Sequence, residues 1–313
     1  MRNECKVGTR QSALALWQTG HVIALLEKLP AAKGMTFTTT KVNTEGDRKL
    51  QQALHTFGGK GAFTEALEAK LLDGSIDFAV HSLKDMPTKL PQGLVIGAIP
   101  QRANVEDAFV SADGTLLREL PAGARVGTSS LRRTAQLLHW RPDLVPVSIR
   151  GNVQTRLGKI ETEHLAGVIL ARAGLERLGL TDRITEVLQA PQWLPAAGQG
   201  ALAIECRADD EELLALLAGI HDPETAAAVA AERAILAALE GGCQVPIGAA
   251  SVYENDTIQV QGRLLSLDGA TVIEAVRTGK CSAAASLGQA VAEEILANGG
   301  RELWTKVRAM LEE

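Results

Sequence analysis

The stretch RVGTSSLRRTAQLLHW, residues 125–140, shows the local pattern from which the fold class is predicted. Its first three residues fit a short strand, and the segment from Leu131 to Trp140 has the spacing of a helix. Between them lies the polar turn Thr128-Ser129-Ser130. A turn of this kind either caps the helix or binds an anion, and the neighbouring Arg132 and Arg133 favour the second interpretation.

The same order of strand, polar turn and helix recurs at least five times in the first two-thirds of the chain. Such alternation predicts an α/β fold with parallel strands, whose ligands bind where strand carboxyl ends meet helix amino ends. Ser12 is expected to cap the first helix. The other strands of this repeated unit are expected at residues 5–8, 76–80, 145–149 and 167–170, and further strand-like segments lie at 36–42, 94–99 and 108–111.

The last third of the chain has a different pattern. Residues 222–239 read as one long helix, and three strand-like segments follow at 247–253, 257–267 and 270–278. Asn255-Asp256 and Asp268-Gly269 are turn sequences that fit the two connections of an antiparallel meander. A separate C-terminal α+β domain with a three-stranded antiparallel sheet is therefore predicted.

Charge is unevenly distributed along the chain, whose net charge is -5. Residues 125–183 contain nine Arg and one Lys against three Glu and two Asp, which makes this stretch +5 and the remainder -10. The basic stretch predicts an anionic partner. Nucleic acid fits poorly, because the rest of the chain is acidic and Trp140 is the one aromatic residue of the stretch available for base stacking. Small carboxylates or phosphates fit better.

The cysteines and the N-terminus bear on cellular location and on metal binding. The four cysteines are scattered, without a CxxC pair or histidines at zinc-ligand spacing, so neither a disulfide framework nor a metal site is indicated. The first residues lack the apolar core of a signal peptide, and no apolar run approaches the length of a membrane span. We therefore expect a cytoplasmic protein that does not bind membranes.

Several side chains are candidates for chemistry. Arg10, Arg132, Arg133, Arg150 and Arg156 fall in strand-to-helix turns or first helical turns, where together they suit a ligand with many carboxylates. Any one of them alone is more simply a solvated surface residue. Asp85, after Lys84 at the end of a buried strand, either stabilises positive charge and moves protons or caps a turn.

A single thiol is placed on a loop by the sequence LEGGCQVPIG, residues 239–248. Glycines keep bulk away from the sulfur of Cys243, which suits a reactive thiol, although most cysteines are small buried side chains. Residues 43–61 contain several glycines and no clear periodicity, and we interpret them as a loop that covers a cleft.

Seven motifs in this order resemble the porphobilinogen deaminase family, also called hydroxymethylbilane synthases, over essentially the whole chain. They are GTRQS (8–12), GKG (59–61), AVHSLKDMP (79–87), GTSSLRR (127–133), RGNVQTRL (150–157), AGQG (197–200) and the Cys243 loop. The run at residues 100–107 departs from the family's more acidic pattern, which leaves the hinge details open.

The resemblance implies an α/β fold with two periplasmic-binding-protein-like (type II) domains around a cleft, plus the C-terminal α+β domain. Domain 1, with the catalytic aspartate, would comprise residues 1–100 and 200–218, and the arginine-rich domain 2 residues 101–199. Domain 3, with the cysteine, would comprise residues 220–313. The chain would cross between the first two domains twice, and residues 201–206 would return as a strand to the first sheet.

The resemblance also implies a transferase of tetrapyrrole biosynthesis that deaminates four porphobilinogen molecules and joins them head to tail. The chain would grow on a dipyrromethane cofactor, held by a thioether to Cys243, until hydrolysis releases hydroxymethylbilane. Asp85 would be catalytic. The cofactor would be held by Lys84, Thr128, Ser130, Arg132, Arg133 and Arg156, and the substrate side lined by Arg10, Ser12, Arg150, Gln199, Lys60 and Phe63. Family members lead us to expect a monomer.

Two other classes of function remain open on the sequence alone. Two α/β lobes around a cleft are also the architecture of solute-binding proteins, and a fold does not determine a function. A thiol enzyme of the acyl-transfer type using Cys243 is the other alternative, although the sequence suggests no histidine as its base.

Overall fold

Three β-sheets organise the chain in a computed structural model that describes residues 2–43, 64–239 and 245–312. The first sheet contains β1 (Glu4–Arg10), β2 (Thr36–Val42), β3 (Phe78–Ser82), β4 (Leu94–Ala98) and β10 (Leu202–Arg207). The second contains β5 (Asp107–Ser111), β6 (Arg125–Gly127), β7 (Val145–Val147), β8 (Gly167–Ala171) and β9 (Glu186–Leu188). The third contains β11 (Ile247–Glu254), β12 (Thr257–Leu265) and β13 (Val272–Lys280).

Helices connect and cover these sheets. The described residues form α1 (Ala13–Leu26), α2 (Glu65–Leu72), α3 (Leu131–Trp140), α4 (Val153–Thr162), α5 (Arg172–Arg177), α6 (Glu211–Leu217), α7 (Pro223–Ala238), α8 (Ala284–Ile295) and α9 (Arg301–Glu312). We call the first sheet with its helices the first lobe, the second sheet with its helices the second lobe, and the third sheet with α7 to α9 the third unit.

The first two sheets share one strand order. The first runs β2-β1-β3-β10-β4 and the second β7-β6-β8-β5-β9. In each, three neighbouring strands are parallel, and the fourth in line is antiparallel to both of its neighbours. This is the arrangement of type II periplasmic binding proteins, so the predicted fold class is confirmed.

The antiparallel strands are the two that follow a crossing between the lobes. β5 begins after the chain first leaves the first lobe, and β10 begins after it returns. The expected return of residues 201–206 as a strand is therefore confirmed. The local alternation of strand and helix did not predict the antiparallel direction of β5 and β10, because each of these strands enters its sheet from the other lobe.

Polar side chains fix the starts of three helices that follow strands. Ser12 accepts a hydrogen bond from the backbone N–H of Ala15 at 3.3 Å, and Ser130 accepts one from that of Arg133 at 3.4 Å. Asn152 accepts from the N–H of Thr155 at 2.9 Å. Each side chain satisfies a donor that the helix leaves unpaired, so these helices begin at the carboxyl ends of strands as expected.

In the third unit, α7 and α8 pack together and against the antiparallel sheet. The predicted turn at Asn255 and Asp256 is confirmed, with φ values of 47° and 63° that match the twist of a tight hairpin. The helices approach closely where α8 carries Gly288, since a Cβ there would lie 2.1 Å from the carbonyl oxygen of Ala231.

None of the helices in the described ranges is long and apolar enough by itself to cross a membrane. One pair of described helices is long and apolar enough when the two are taken together, judged by length and composition alone. The pair is Glu211–Ile220 and Pro223–Ala238, with a bend of 102° between the two helices.

The close contact of α7 and α8 predicts that Gly288→Ala destabilises the protein. Its methyl group would meet backbone, so the helices would have to separate, at a cost of about 1–3 kcal/mol in the free energy of unfolding. The matched control is Gly20→Ala in α1, where a Cβ has no neighbour within 4 Å and should stabilise by about 0.5–1 kcal/mol. Urea unfolding of both variants measures the difference. Equal effects would contradict the helix contact.

Candidate functional site

A cavity of about 450 Å³ lies where the two lobes and the third unit meet. It opens at the carboxyl ends of strands and the amino ends of α3 and α4, as the α/β pattern predicted. Nine of the sequence-predicted site residues line it. They are Lys84, Asp85, Thr128, Ser130, Arg132, Arg133, Arg150, Arg156 and, from the second crossing, Gln199.

Asp85 and Lys84 reach the cavity from the end of β3. A short 3-10 turn, Leu83–Asp85, follows that strand, and fully buried Leu83 anchors it in the core. The Nζ of Lys84 donates to Oε1 of Gln199 at 3.3 Å. Burial lowers the pKa of Lys84 to about 8; Arg133 and Arg132 act in the same direction, and Asp85 and Asp107 oppose them. Lys84 is therefore a cation whose charge depends on what else occupies the site.

Of the two roles that the sequence left open for the turn before α3, the structure shows the helix cap, and it places the same turn at the cavity. Ser130 caps the helix, and Thr128 accepts a hydrogen bond from the N–H of Ser130 at 3.3 Å. Both residues also line the cavity. The cap therefore directs the amino end of α3 towards the cavity, where the helix dipole favours negative charge.

A buried carboxylate that sequence reasoning missed organises the neighbouring arginines. Asp107, fully buried at the start of β5, accepts from Nη1 of Arg132 at 2.8 Å and from Nη2 of Arg133 at 2.7 Å. Burial alone would raise the pKa of Asp107, but the two guanidinium groups hold it well below its usual range. Arg132 and Arg133 were expected to face ligand carboxylates, and the structure adds an internal counter-ion that both share.

Three guanidinium nitrogens of the cavity have no hydrogen-bond partner among the described residues. They are Nε of Arg133, Nη1 of Arg150 and Nε of Arg156, all shielded from solvent. Burial lowers the pKa of Arg156 to about 10, with Arg133 and Arg150 also lowering it and Asp85 opposing them, and burial lowers the pKa of Arg150 too. Buried N–H donors of cations are costly to leave unpaired, so the three arginines favour an anionic ligand over a neutral one.

Other predicted site residues lie elsewhere. Ser12 caps α1, and neither it nor Arg10 is among the described residues that line the cavity. Lys60, Phe63 and Cys243 lie outside the described residues, as does most of the loop expected at 43–61. Two described residues near the ends of the Cys243 segment line the cavity. They are Leu236, in the last turn of α7, and Val245, where the described chain resumes.

Among the described residues, the cavity has neither a cluster of metal ligands nor a histidine in its lining. Within residues 2–43, 64–239 and 245–312, no three His, Cys, Asp or Glu side chains cluster as metal ligands. No histidine of these ranges lines the cavity. The arrangement therefore offers one carboxylate, Asp85, facing a set of cations, which suits the stabilisation of positive charge on a substrate that is itself held by its carboxylates.

Comparisons with known proteins point to one family. A family model described as "Porphobilinogen deaminase, dipyromethane cofactor binding domain" matches residues 5–215, and one described as "Porphobilinogen deaminase, C-terminal domain" matches residues 226–297. The chain is 51% identical over 309 residues to the porphobilinogen deaminase of Desulforamulus reducens, covering 99% of each. It is 49% identical over 306 residues to that of Moorella thermoacetica, covering 98% of this chain and 97% of the relative.

A solved periplasmic binding protein of Salmonella typhimurium, described as having high arginine specificity, aligns with 72% of this chain and 96% of its own. The identity is 16% and the TM-score 0.42, a similarity too low to bear on the ligand.

The depressed pKa of Lys84 predicts proton uptake on anion binding. Below about pH 8 Lys84 is charged with or without a ligand, but between about 8 and its ordinary 10.5 a bound carboxylate restores the proton. Citrate binding near pH 9 should take up a fraction of a proton, and near pH 6.5 almost none. Calorimetry in two buffers of different ionisation enthalpy measures this uptake.

The controls are Lys84→Met, which should abolish the uptake, and Lys89→Met, which replaces an exposed lysine outside the cavity and should leave it unchanged. Equal uptake by the native protein and Lys84→Met would remove Lys84 from the anion site.

Proposed function

The chain belongs to the porphobilinogen deaminase family, and from that premise we propose that it deaminates four porphobilinogen molecules, joins them head to tail and releases hydroxymethylbilane by hydrolysis. The observation that carries the proposal is that Arg133, Arg150 and Arg156, each with a buried guanidinium nitrogen that has no partner among the described residues, line the same cavity as Asp85. Porphobilinogen bears an acetate and a propionate, so each added unit brings two carboxylates to these arginines. Bidentate pairing with arginine both binds and orients them.

A dipyrromethane on Cys243 fits this cavity chemically. When bound through a thioether, it supplies the pyrrole carbon to which the first substrate is joined. Its carboxylates would be held by Lys84, Thr128, Ser130, Arg132, Arg133 and Arg156. The unpartnered Nε atoms of Arg133 and Arg156 support this assignment, and so do Leu236 and Val245, which bring the chain on both sides of the Cys243 segment to the cavity wall.

Asp85 is proposed as the catalytic residue. Loss of ammonia from the substrate's protonated aminomethyl group leaves positive charge on the pyrrole ring, and joining the next ring again places positive charge on a pyrrole until a proton leaves. A fixed carboxylate near the pyrrole N–H stabilises that charge at both stages and can carry the departing proton. Asp85 is suited to this because the turn after β3 holds it at the cavity, with Lys84 beside it.

The substrate side is proposed to comprise Arg10, Ser12, Arg150, Gln199, Lys60 and Phe63. Arg150 and Gln199 line the cavity, which supports their place in the set. Arg10 and Ser12 lie at the adjoining end of β1 and the start of α1. Lys60 and Phe63 stay predictions from the family motif.

We also propose the domain division at residues 1–100 with 200–218, 101–199 and 220–313. The placement of β10 in the first sheet and of β5 in the second supports these limits. A monomer in the cytoplasm, without nucleic-acid or membrane partners, stays a prediction.

The mass of the intact protein tests the function and its cofactor. The native chain is expected to carry an adduct of two pyrrole units, and Cys243→Ser is expected to lack it, because that sulfur is the attachment point. Cys281→Ser is the matched control, since Cys281 is a half-buried thiol of the third unit and should keep the adduct. A native chain without an adduct that still makes hydroxymethylbilane would refute the proposal; a bare chain that binds substrate without turnover would favour a solute-binding protein.

Asp85→Ala tests the catalytic assignment. The variant should fold and keep the adduct, while kcat for porphobilinogen falls by about 10²–10⁴, the usual contribution of a positioned acid or base. Asp113→Ala, at an exposed loop carboxylate of the second lobe, serves as the control and should turn over normally. Near-native turnover by Asp85→Ala, measured on protein whose mass shows the adduct, would remove Asp85 from the mechanism.

A further inference from the structure

Asp107 is a carboxylate with every acceptor position in use. Its Oδ1 accepts from Nη2 of Arg133 at 2.7 Å and from Nε2 of Gln199 at 2.8 Å. Its Oδ2 accepts from Nη1 of Arg132 at 2.8 Å and from Nε1 of Trp193 at 2.8 Å. An ionised carboxylate offers about four such positions. Asp107 therefore joins β5, α3 and two points of the second crossing in one buried cluster.

The hydrogen bonds of Asp107 constrain Arg133 and Gln199, two residues that line the cavity. Arg133 donates its Nη1 to the carbonyl of Ile169 at 3.1 Å, so both ends of its guanidinium are fixed, and its Nε is buried without a partner among the described residues. Gln199 donates its Nε2 to Asp107 and to the carbonyl of Val105, each at 2.8 Å. Its Oε1 is thereby turned to accept from Lys84.

These contacts form a continuous path between the lobes. It runs from Lys84, beside Asp85 in the first lobe, through Gln199 to Asp107 in the second lobe, and on to the arginine pair of α3. A hydrogen-bonded chain of this kind constrains the distance between the two sides of the cleft, because Gln199, Asp107 and both arginines each make at least two side-chain hydrogen bonds.

We infer that Asp107 is a positioning residue for the ligand's carboxylates. Its hydrogen bonds fix the N–H donors of Arg132 and Arg133 directly, and through Gln199 they fix the ammonium group of Lys84. The inference rests on the proposed function, and the protonation of Lys84 gives it a second readout that does not require turnover.

The charges around Lys84 make it a usable reporter. Asp85 faces it from its own turn, Arg132 and Arg133 from α3, and Asp107 from β5. Asp107 raises the pKa of Lys84 and the two arginines lower it. Removing the charge of Asp107 leaves both arginines uncompensated, so Lys84 should lose its proton at a lower pH.

The test compares Asp107→Asn with Asp210→Asn on purified, adduct-bearing protein. Asp210 is a matched control because it is largely buried, caps α6 and pairs with Arg2 and Arg207, away from the cavity. Asp107→Asn is expected to raise KM for porphobilinogen at least tenfold and to change kcat less than KM. It should also lower the pH midpoint of Lys84 acetylation, followed by peptide mass, by at least about half a pH unit. Asp210→Asn should lower the melting temperature without either effect.

Two results would overturn the inference. One is an Asp107→Asn protein that melts earlier but keeps the native KM and Lys84 midpoint, which would make Asp107 a purely structural residue. The other applies if Asp107→Asn does not fold, in which case Trp193→Phe is measured instead. This change removes one hydrogen-bond donor to Asp107 and keeps the carboxylate charge, and it should raise KM at least threefold. An unchanged KM in Trp193→Phe would refute the positioning role. Absence of the dipyrrole adduct from the native chain would instead refute the proposed function.

Discussion

Two buried carboxylates hold the segments by which the chain crosses between its lobes, and the geometry of the cavity depends on them. Glu232 of α7 accepts from both terminal nitrogens of Arg102, each at 2.8 Å, and from the N–H of Gly198 at 2.8 Å. Arg102 also donates its Nε to the carbonyl of Gln199. Both crossings are thus tied to the third unit at one point. Removing one partner of such a pair would leave a buried charge at a cost of about 3–5 kcal/mol.

Asp107 holds the cavity arginines in place as Glu232 holds the crossing segments. It neutralises part of the positive charge of Arg132 and Arg133, so fewer of their N–H donors remain for a ligand in the cavity. This division explains how a site with so many cations can be stable before any ligand arrives. Like charges brought together without a counter-ion repel each other, whereas a shared carboxylate lets Arg132 and Arg133 lie side by side in the first turn of one helix. The ligand then completes the pairing.

The local features of this arrangement were predictable from the sequence because they depend on neighbours along the chain. Ser130 could be identified as a cap from the residues beside it, and Asn255-Asp256 as a hairpin turn from its own conformational preference. The part played by Asp107 could not. It is the first residue of an apolar strand, a position where a charged side chain is ordinarily read as a surface residue at the strand boundary. Its partners Gln199 and Trp193 are also distant in sequence. The usable signal was physical: two consecutive arginines in the first turn of a helix bring like charges together, which favours a nearby counter-ion. The antiparallel direction of β5 and β10 could not be predicted from the local sequence pattern either, since each of these strands enters its sheet from the other lobe.

The exchange of strands between the lobes constrains how the chain can fold as it is made. The first sheet needs β10 between β3 and β4, and Ser82 pairs with Leu202, so its centre stays open until more than a hundred further residues have left the ribosome. The second sheet is drawn from one continuous stretch, β5 to β9, and can close first. We therefore expect the second lobe to act as the template on which the first is completed, with an exposed strand edge in the interval and a slow final step set by long-range pairing.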